Sequence, residues 1–161
     1  MILGRHSSIA STGSNITAQV TVGNYTTVGP HVQMHTLHNH ASIEHPELVS
    51  NFPMRMPGYP RTSSKENIVI GSDVWIGRNV VLLGNITIGH GAIIGAFSVV
   101  AKDIPPYAVV VGNPAVIKRF RFTQEQIDSL LQIQWWNWSD EELKKHSLLN
   151  IDEFIAGAIM K

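Results

Sequence analysis

The sequence predicts an all-β fold: a parallel β-helix of short strands, with an excursion loop and a short C-terminal helical tail. Three observations predict it. An aliphatic residue recurs every six positions, a proline-rich stretch interrupts that period, and helix-capping signatures follow where the period ends.

The period is clearest in Ile70, Ile76, Leu82, Ile88, Ile94 and Val100, which stand six apart without a break. Two positions before each is a second column of apolar or small residues: Ile68, Val74, Val80, Ile86, Ala92 and Ser98. Gly71, Gly77, Gly89 and Gly95 follow four of the first set. A period of six matches neither an amphipathic helix nor a plain alternating strand. It matches a coil of three short strands and three tight corners per turn, about 18 residues, whose inner column is buried by stacking on the next turn. The aliphatic residue points inward, and the glycine lets the backbone turn without a Cβ clash. The same register runs upstream through Ile16, Val22, Val28 and Met34, so the first coil is expected over about residues 14–34. No long arm is expected before it.

Residues 35–67 break the pattern and hold Pro46, Pro53, Pro57 and Pro60, which makes them a long loop leaving the coil. Long loops in compact domains usually carry function. Two more coils are expected over 68–102. Pro105 and Pro106 should end the winding, and GNPA (112–115) should turn the chain away. Thr123 with Gln126, Ser139 with Glu142, and Asn150 with Glu153 have the spacing of helix N-caps. Between the first two lie Trp135, Trp136 and Trp138; they offer either a ring platform for a sugar or an adenine or, the preferred reading, packing of the tail against the coil or a neighbouring subunit. The organisation is a β-helix domain over 1–120, including the loop, and a helical tail over 121–161.

Composition excludes several classes. Charged residues are 15% and hydrophobic residues 43%, which fits a globular chain. A formal net charge of zero gives no basic excess to hold nucleic acid. The absence of cysteine removes disulfides, thiolate zinc sites and a cysteine nucleophile. No apolar run is long enough to insert in a membrane, and the N-terminus lacks a signal-like core, so a cytoplasmic protein is expected.

IGSDVWIG (70–77), IGHGAIIGAFSVVAKDIPPYAVVVGNPA (88–115) and WWNW (135–138) resemble the xenobiotic acyltransferase branch of the hexapeptide-repeat transferases. That branch includes streptogramin and type B chloramphenicol acetyltransferases and polysaccharide O-acetyltransferases. The resemblance implies a homotrimer of left-handed β-helices, acetyl-CoA lying between two subunits, and a saccharide or small hydroxylated molecule as acceptor. It also assigns residues. GAFSVVAKD (95–103) corresponds to the family's coenzyme stretch, which makes Ala96, Ala101 and Lys102 coenzyme contacts. Phe97 replaces the usual glycine, and Ala101 the usual threonine. Arg119 falls where the family often has a cation for coenzyme phosphate. Val116 stands where some members have another arginine, for which Lys118 could substitute.

Transfer from a thioester to a hydroxyl needs a base with a pKa near neutral, and histidine fits. Five of the eight histidines (His31, His35, His38, His40 and His45) gather where the period breaks. The family uses a loop histidine that usually follows an asparagine. His40 follows Asn39 and lies six residues after Met34; His45 is closer to VSNFP (49–53). His40 is the preferred base, with His45 the alternative. Two rival functions stay open. One is a non-enzymatic β-helix that serves as an assembly or binding module. The other is a trimeric zinc enzyme of the γ-carbonic anhydrase kind, using His35, His40 and His45. No metal is expected, because those enzymes place their histidines on successive rungs.

Overall fold

The computed structural model describes residues 1–35, 67–146 and 150–159. Its strands follow one another in threes. β1 (Ile2–Leu3), β2 (Ser8–Ile9) and β3 (Asn15–Ile16) make one turn, and β4 (Gln19–Val22), β5 (Thr27–Val28) and β6 (Gln33–His35) the next. After residues 36–66 come β7 (Asn67–Ile70), β8 (Trp75–Ile76) and β9 (Val81–Leu83), then β10 (Ile86–Ile88), β11 (Ile93–Ile94) and β12 (Val99–Val100). Each strand of a turn joins a different parallel sheet. Sheet one is β1-β4-β7-β10, sheet three is β3-β6-β9-β12, and sheet two runs β2-β5-β8-β11 and continues into β13 (Ala108–Val111) and β14 (Val116–Phe120). The described chain is therefore a three-faced coil, as the period of six requires.

Alternation within each strand decides what is inside. In β4 and β7 exposed and buried residues alternate, so every second side chain enters the prism. Both predicted columns are interior: Ile70, Ile76, Leu82, Ile88, Ile94 and Val100 are at most 1% exposed, and their partners two positions earlier are all buried.

Two boundaries differ from the sequence reading. The first coil begins at Ile2, not near residue 14, because β1 pairs with β4 and β2 with β5. Ile9 aligns with Val28 and Ile16 with Met34, so the inner step between them is seven residues in the first turn and six in the second. That extra residue shifts Leu3 and Ile9 out of the common register. At the other end, Pro105 and Pro106 do not stop the winding. Ile104 bridges to Ile88, and β13 adds in parallel to β11. Proline is tolerated there because the pair occupies a corner, where no ladder N–H is needed. The coil ends at Gly112, which has a φ of 109°, and β14 returns antiparallel to β13.

The glycines have a different task from the one expected. Gly77 does not turn the chain; an added Cβ there would stand 2.7 Å from the backbone nitrogen of Ala96 on the next coil. Its value is clearance between coils. The left-handed residue lies two positions later, at Asp73, Asn79, Gly91 and Phe97.

The tail forms three helices. α1 (Gln124–Ile133) opens on a complete capping box between Thr123 and Gln126. A 3-10 turn spans Trp135–Asn137, and α2 (Asp140–Leu143) is capped by the Ser139 hydroxyl. α3 (Ile151–Ile159) starts where the Asn150 side chain accepts from the backbone of Asp152 and Glu153. Gln126 Nε2 donates to Asp152 Oδ1 at 2.7 Å and ties α1 to α3. No helix among the described residues is long and apolar enough to cross a membrane.

Candidate active site

A three-faced coil has three edges, and this chain uses each differently. The edge between sheets one and two is built on left-handed corner residues Tyr25, Asp73, Gly91 and Tyr107, and the tail covers it. Trp136 is 3% exposed and stacks on His90 with ring centroids 4.4 Å apart. Asn24 Nδ2 donates to the Trp136 carbonyl at 3.0 Å. The tryptophans thus pack the tail against the coil, as expected. His90 Nδ1 accepts from the Ser72 N–H at 2.9 Å, so the ring proton sits on Nε2. Burial lowers the His90 pKa. Arg121 Nη1 bonds both Asp73 Oδ2 and the Gly91 carbonyl at 2.8 Å. Burial raises the Asp73 carboxyl and Arg121 opposes that rise. His6 and Arg5 reach Asp140 at 3.1 and 3.3 Å, fastening the first coil to α2.

The edge between sheets two and three carries Gly13, His31, Asn79 and Phe97, all with positive φ. Ala96 is exposed here, and Phe97 beside it is 65% exposed. Left-handed backbone is unfavourable for a bulky residue, so Phe97 is held there by the corner, its N–H donating to the Arg78 carbonyl at 3.0 Å.

The edge between sheets three and one is where the chain leaves the coil. β6 ends at His35, whose Nδ1 lies 3.2 Å from the Thr17 hydroxyl and whose carbonyl accepts from the Gly84 N–H at 3.0 Å. One coil on is the Gly84–Asn85 corner, and the next is Ala101–Asp103. Asp103 Oδ1 accepts from the Thr87 N–H at 2.7 Å, which fixes that corner. Ala101 and Lys102 are exposed, and among the described residues no carboxylate pairs with Lys102. β6, β9 and β12 are successive neighbours, so the Lys102 rung lies about 10 Å along the edge from His35, two strand spacings.

The expected site residues are therefore only partly gathered within one chain. Ala101 and Lys102 share the edge from which the histidine-rich segment departs. Ala96 stands at the other end of β12, up to about 20 Å of chain away. Arg119 lies on β14 opposite Val109, its Nη1 donating to the Phe120 carbonyl at 3.1 Å. His40 and His45 lie outside the described residues, as does His38. Among the described residues no three His, Asp or Glu side chains are grouped to hold a metal ion. The contacts of His90, Asp73, Tyr107 and Arg121 were not anticipated from sequence. The one available signal was the corner position three residues after an inward aliphatic, which Asp73 and Tyr107 both occupy.

Comparison with known proteins completes the picture. Residues 67–102 match the bacterial transferase hexapeptide (six repeats). This segment is a hexapeptide repeat. The resemblance to hexapeptide-repeat transferases read from sequence is thereby borne out. The chain is 55% identical over 78 residues to a chloramphenicol acetyltransferase of Klebsiella aerogenes, covering 48% of this chain and 37% of that one. It is 40% identical over 105 residues to a putative lipopolysaccharide biosynthesis O-acetyl transferase of Escherichia coli strain K12, covering 63% and 50%. Its fold resembles a hexapeptide-repeat-containing acetyltransferase of Vibrio cholerae solved with acetyl coenzyme A, with a TM-score of 0.55, 29% identity, and coverage of 75% and 60%. The chain spans about half the length, or less, of these curated relatives.

Proposed function

We propose that this chain is an acetyl-CoA-dependent O-acetyltransferase, working in the cytoplasm as a homotrimer of left-handed β-helices. Its acceptor is a hydroxyl on a saccharide or another small molecule. The observation that carries this reading is the shared edge. The segment holding His40 leaves the coil at His35 on the edge that bears Lys102, within a sequence similar to named acetyltransferases.

In this reading Lys102 supplies positive charge to the coenzyme phosphates, with Arg119 as a second cation. Ala96 and Ala101 are coenzyme contacts through their exposed corners. They stand at opposite ends of β12, which fits a coenzyme bound between two subunits rather than within one. His40 takes the proton from the acceptor hydroxyl as its oxygen attacks the thioester carbonyl. Backbone N–H groups hold the oxyanion of the tetrahedral intermediate. Collapse breaks the carbon–sulfur bond, and the proton passes from His40 to the departing thiolate.

The test is thiol release from acetyl-CoA by the purified chain, followed with a thiol reagent. The acceptor panel contains chloramphenicol, a macrolide and a set of mono- and disaccharides. Release above background with at least one hydroxylated acceptor, and an acetyl ester in the product mass, is the expected result. Acetyl-CoA binding without any acceptor-dependent release would favour a binding module instead.

A further inference from the structure

The corner between sheets two and three is left-handed on all four coils, at Gly13, His31, Asn79 and Phe97. Glycine, asparagine and histidine accept this backbone readily, whereas a bulky side chain does not. Two other aromatic residues stand at left-handed corners, Tyr25 and Tyr107, on the edge between sheets one and two. Their φ values of 57° and 58° match the 61° of Phe97. There the tail packs over both: Tyr25 meets Trp135, and Tyr107 meets Phe122 edge-on. Phe97 has the same backbone without that cover. It is 65% exposed, and among the described residues it packs against no other ring. Strain that serves no packing within the chain points to a task outside it.

Arg78 says what that task is. Its carbonyl accepts from the Phe97 N–H at 3.0 Å, so it stands on the preceding coil, about one strand spacing of 4.8 Å away. Arg78 is exposed, and among the described residues it pairs with no carboxylate. The corner stretches GPHV (29–32), GRNV (77–80) and GAFS (95–98) contain no Asp or Glu, so nothing along this edge offsets its charge. A guanidinium takes a carboxylate or phosphate through two parallel N–H bonds. An exposed aromatic ring takes the face of another ring.

We propose that Phe97 and Arg78 form a binding point for an aromatic ring that carries an anionic group. The ring lies on Phe97, and the carboxylate or phosphate is held by Arg78. Two sources have this chemistry: the adenine nucleotide of a coenzyme, and an aryl carboxylate. The inference concerns binding and stands without turnover.

Calorimetry on the full chain with two pairs of probes tests it. Adenosine 3′,5′-bisphosphate is compared with adenosine, and 4-hydroxybenzoate with 4-hydroxybenzamide. Within a pair the ring is shared and the charge differs. In one pair the anion should bind about tenfold or more tightly, and that pair identifies the source. Arg78→Met should cut that preference about tenfold. Phe97→Gly should weaken both members at least about fivefold, and Phe97→Trp should keep them. Glycine suits the left-handed corner, so the urea midpoint of Phe97→Gly should be no lower than wild type, and its loss of binding is not a loss of fold. No preference in either pair, a preference that survives Arg78→Met, or wild-type affinity in Phe97→Gly would each overturn the proposal. So would a smaller particle for Phe97→Gly in sedimentation, which would give the ring to contact between copies of this chain. Thiol release from acetyl-CoA reads the transferase activity separately, so the two readings fail independently.

Discussion

Replacing Gly77 by alanine adds one methyl group at the closest backbone approach between two coils. The new Cβ would lie 2.7 Å from the Ala96 nitrogen, 2.9 Å from its Cα and 3.2 Å from the Gly95 carbonyl carbon. Ordinary carbon contacts sit near 3.5–4.0 Å, so the strands must separate locally by roughly 0.5–1 Å. They are held by the Gly77 N–H on the Ile94 carbonyl at 2.8 Å and the Phe97 N–H on the Arg78 carbonyl at 3.0 Å. Overpacking costs about 1–3 kcal/mol, and stretching these bonds adds up to about 1 kcal/mol, so a loss of about 1–4 kcal/mol is expected. Gly157→Ala is the matched control. Its Cβ would meet only His146 Nδ1 at 3.5 Å, inside α3, where alanine gains about 0.5–1 kcal/mol over glycine. Urea unfolding at one fixed protein concentration reads both, with unchanged m-values showing that the unfolded reference is the same. A Gly77→Ala protein within about 0.5 kcal/mol of wild type would refute the clearance argument.

Other expectations follow from the same contacts. Burial holds His90 below the ordinary histidine value, so the unfolded chain takes up the proton first as pH falls. Its contribution is complete above about pH 6.5 and is lost below it, so the stability gap between wild type and His90→Asn should narrow as pH drops from 7.5 to 5.5. Arg121→Met should cost about 2–4 kcal/mol by stranding Asp73, and Asp73→Asn in the same chain should recover much of that in denaturant titrations. Lys102→Glu should weaken acetyl-CoA binding about tenfold or more by calorimetry, because repulsion replaces attraction at the phosphates. His40→Ala should lower turnover by about 10² to 10⁴ with acetyl-CoA affinity kept, while His45→Ala costs much less; the reverse order would move the base to His45.

The inner columns from Ile68 to Val100 were legible because burial in a stacked coil forces a fixed spacing, and spacing is visible in sequence. The first coil was hidden by a single residue. The seven-residue step from Ile9 to Ile16 puts Leu3 out of register, and at the open end of the prism Leu3 is 44% exposed. Pro105 and Pro106 misled for a related reason: a proline pair breaks a strand but suits a corner. The helix starts at Thr123, Ser139 and Asn150 were readable because caps are local. Arg121 on Asp73 and Trp136 on His90 were not, since each joins segments more than forty residues apart through side chains that follow no period. Lys102 was reached through the resemblance rather than through physical chemistry, because a lone exposed lysine has no signature of its own.

The coil closes behind the departing segment as if nothing were there. β4 pairs with β7 through four residues and β6 with β9 through three, in continuous register, although 31 residues lie between His35 and Asn67. The scaffold therefore has a port through which chain can be exchanged without altering any rung. Loop-closure entropy rises only slowly, about 0.6 kcal/mol for each doubling of length, so longer or shorter inserts there are nearly neutral for folding. The length and sequence of the chain inserted at this port can change while the hydrophobic prism, and the corner that carries Lys102, stay the same.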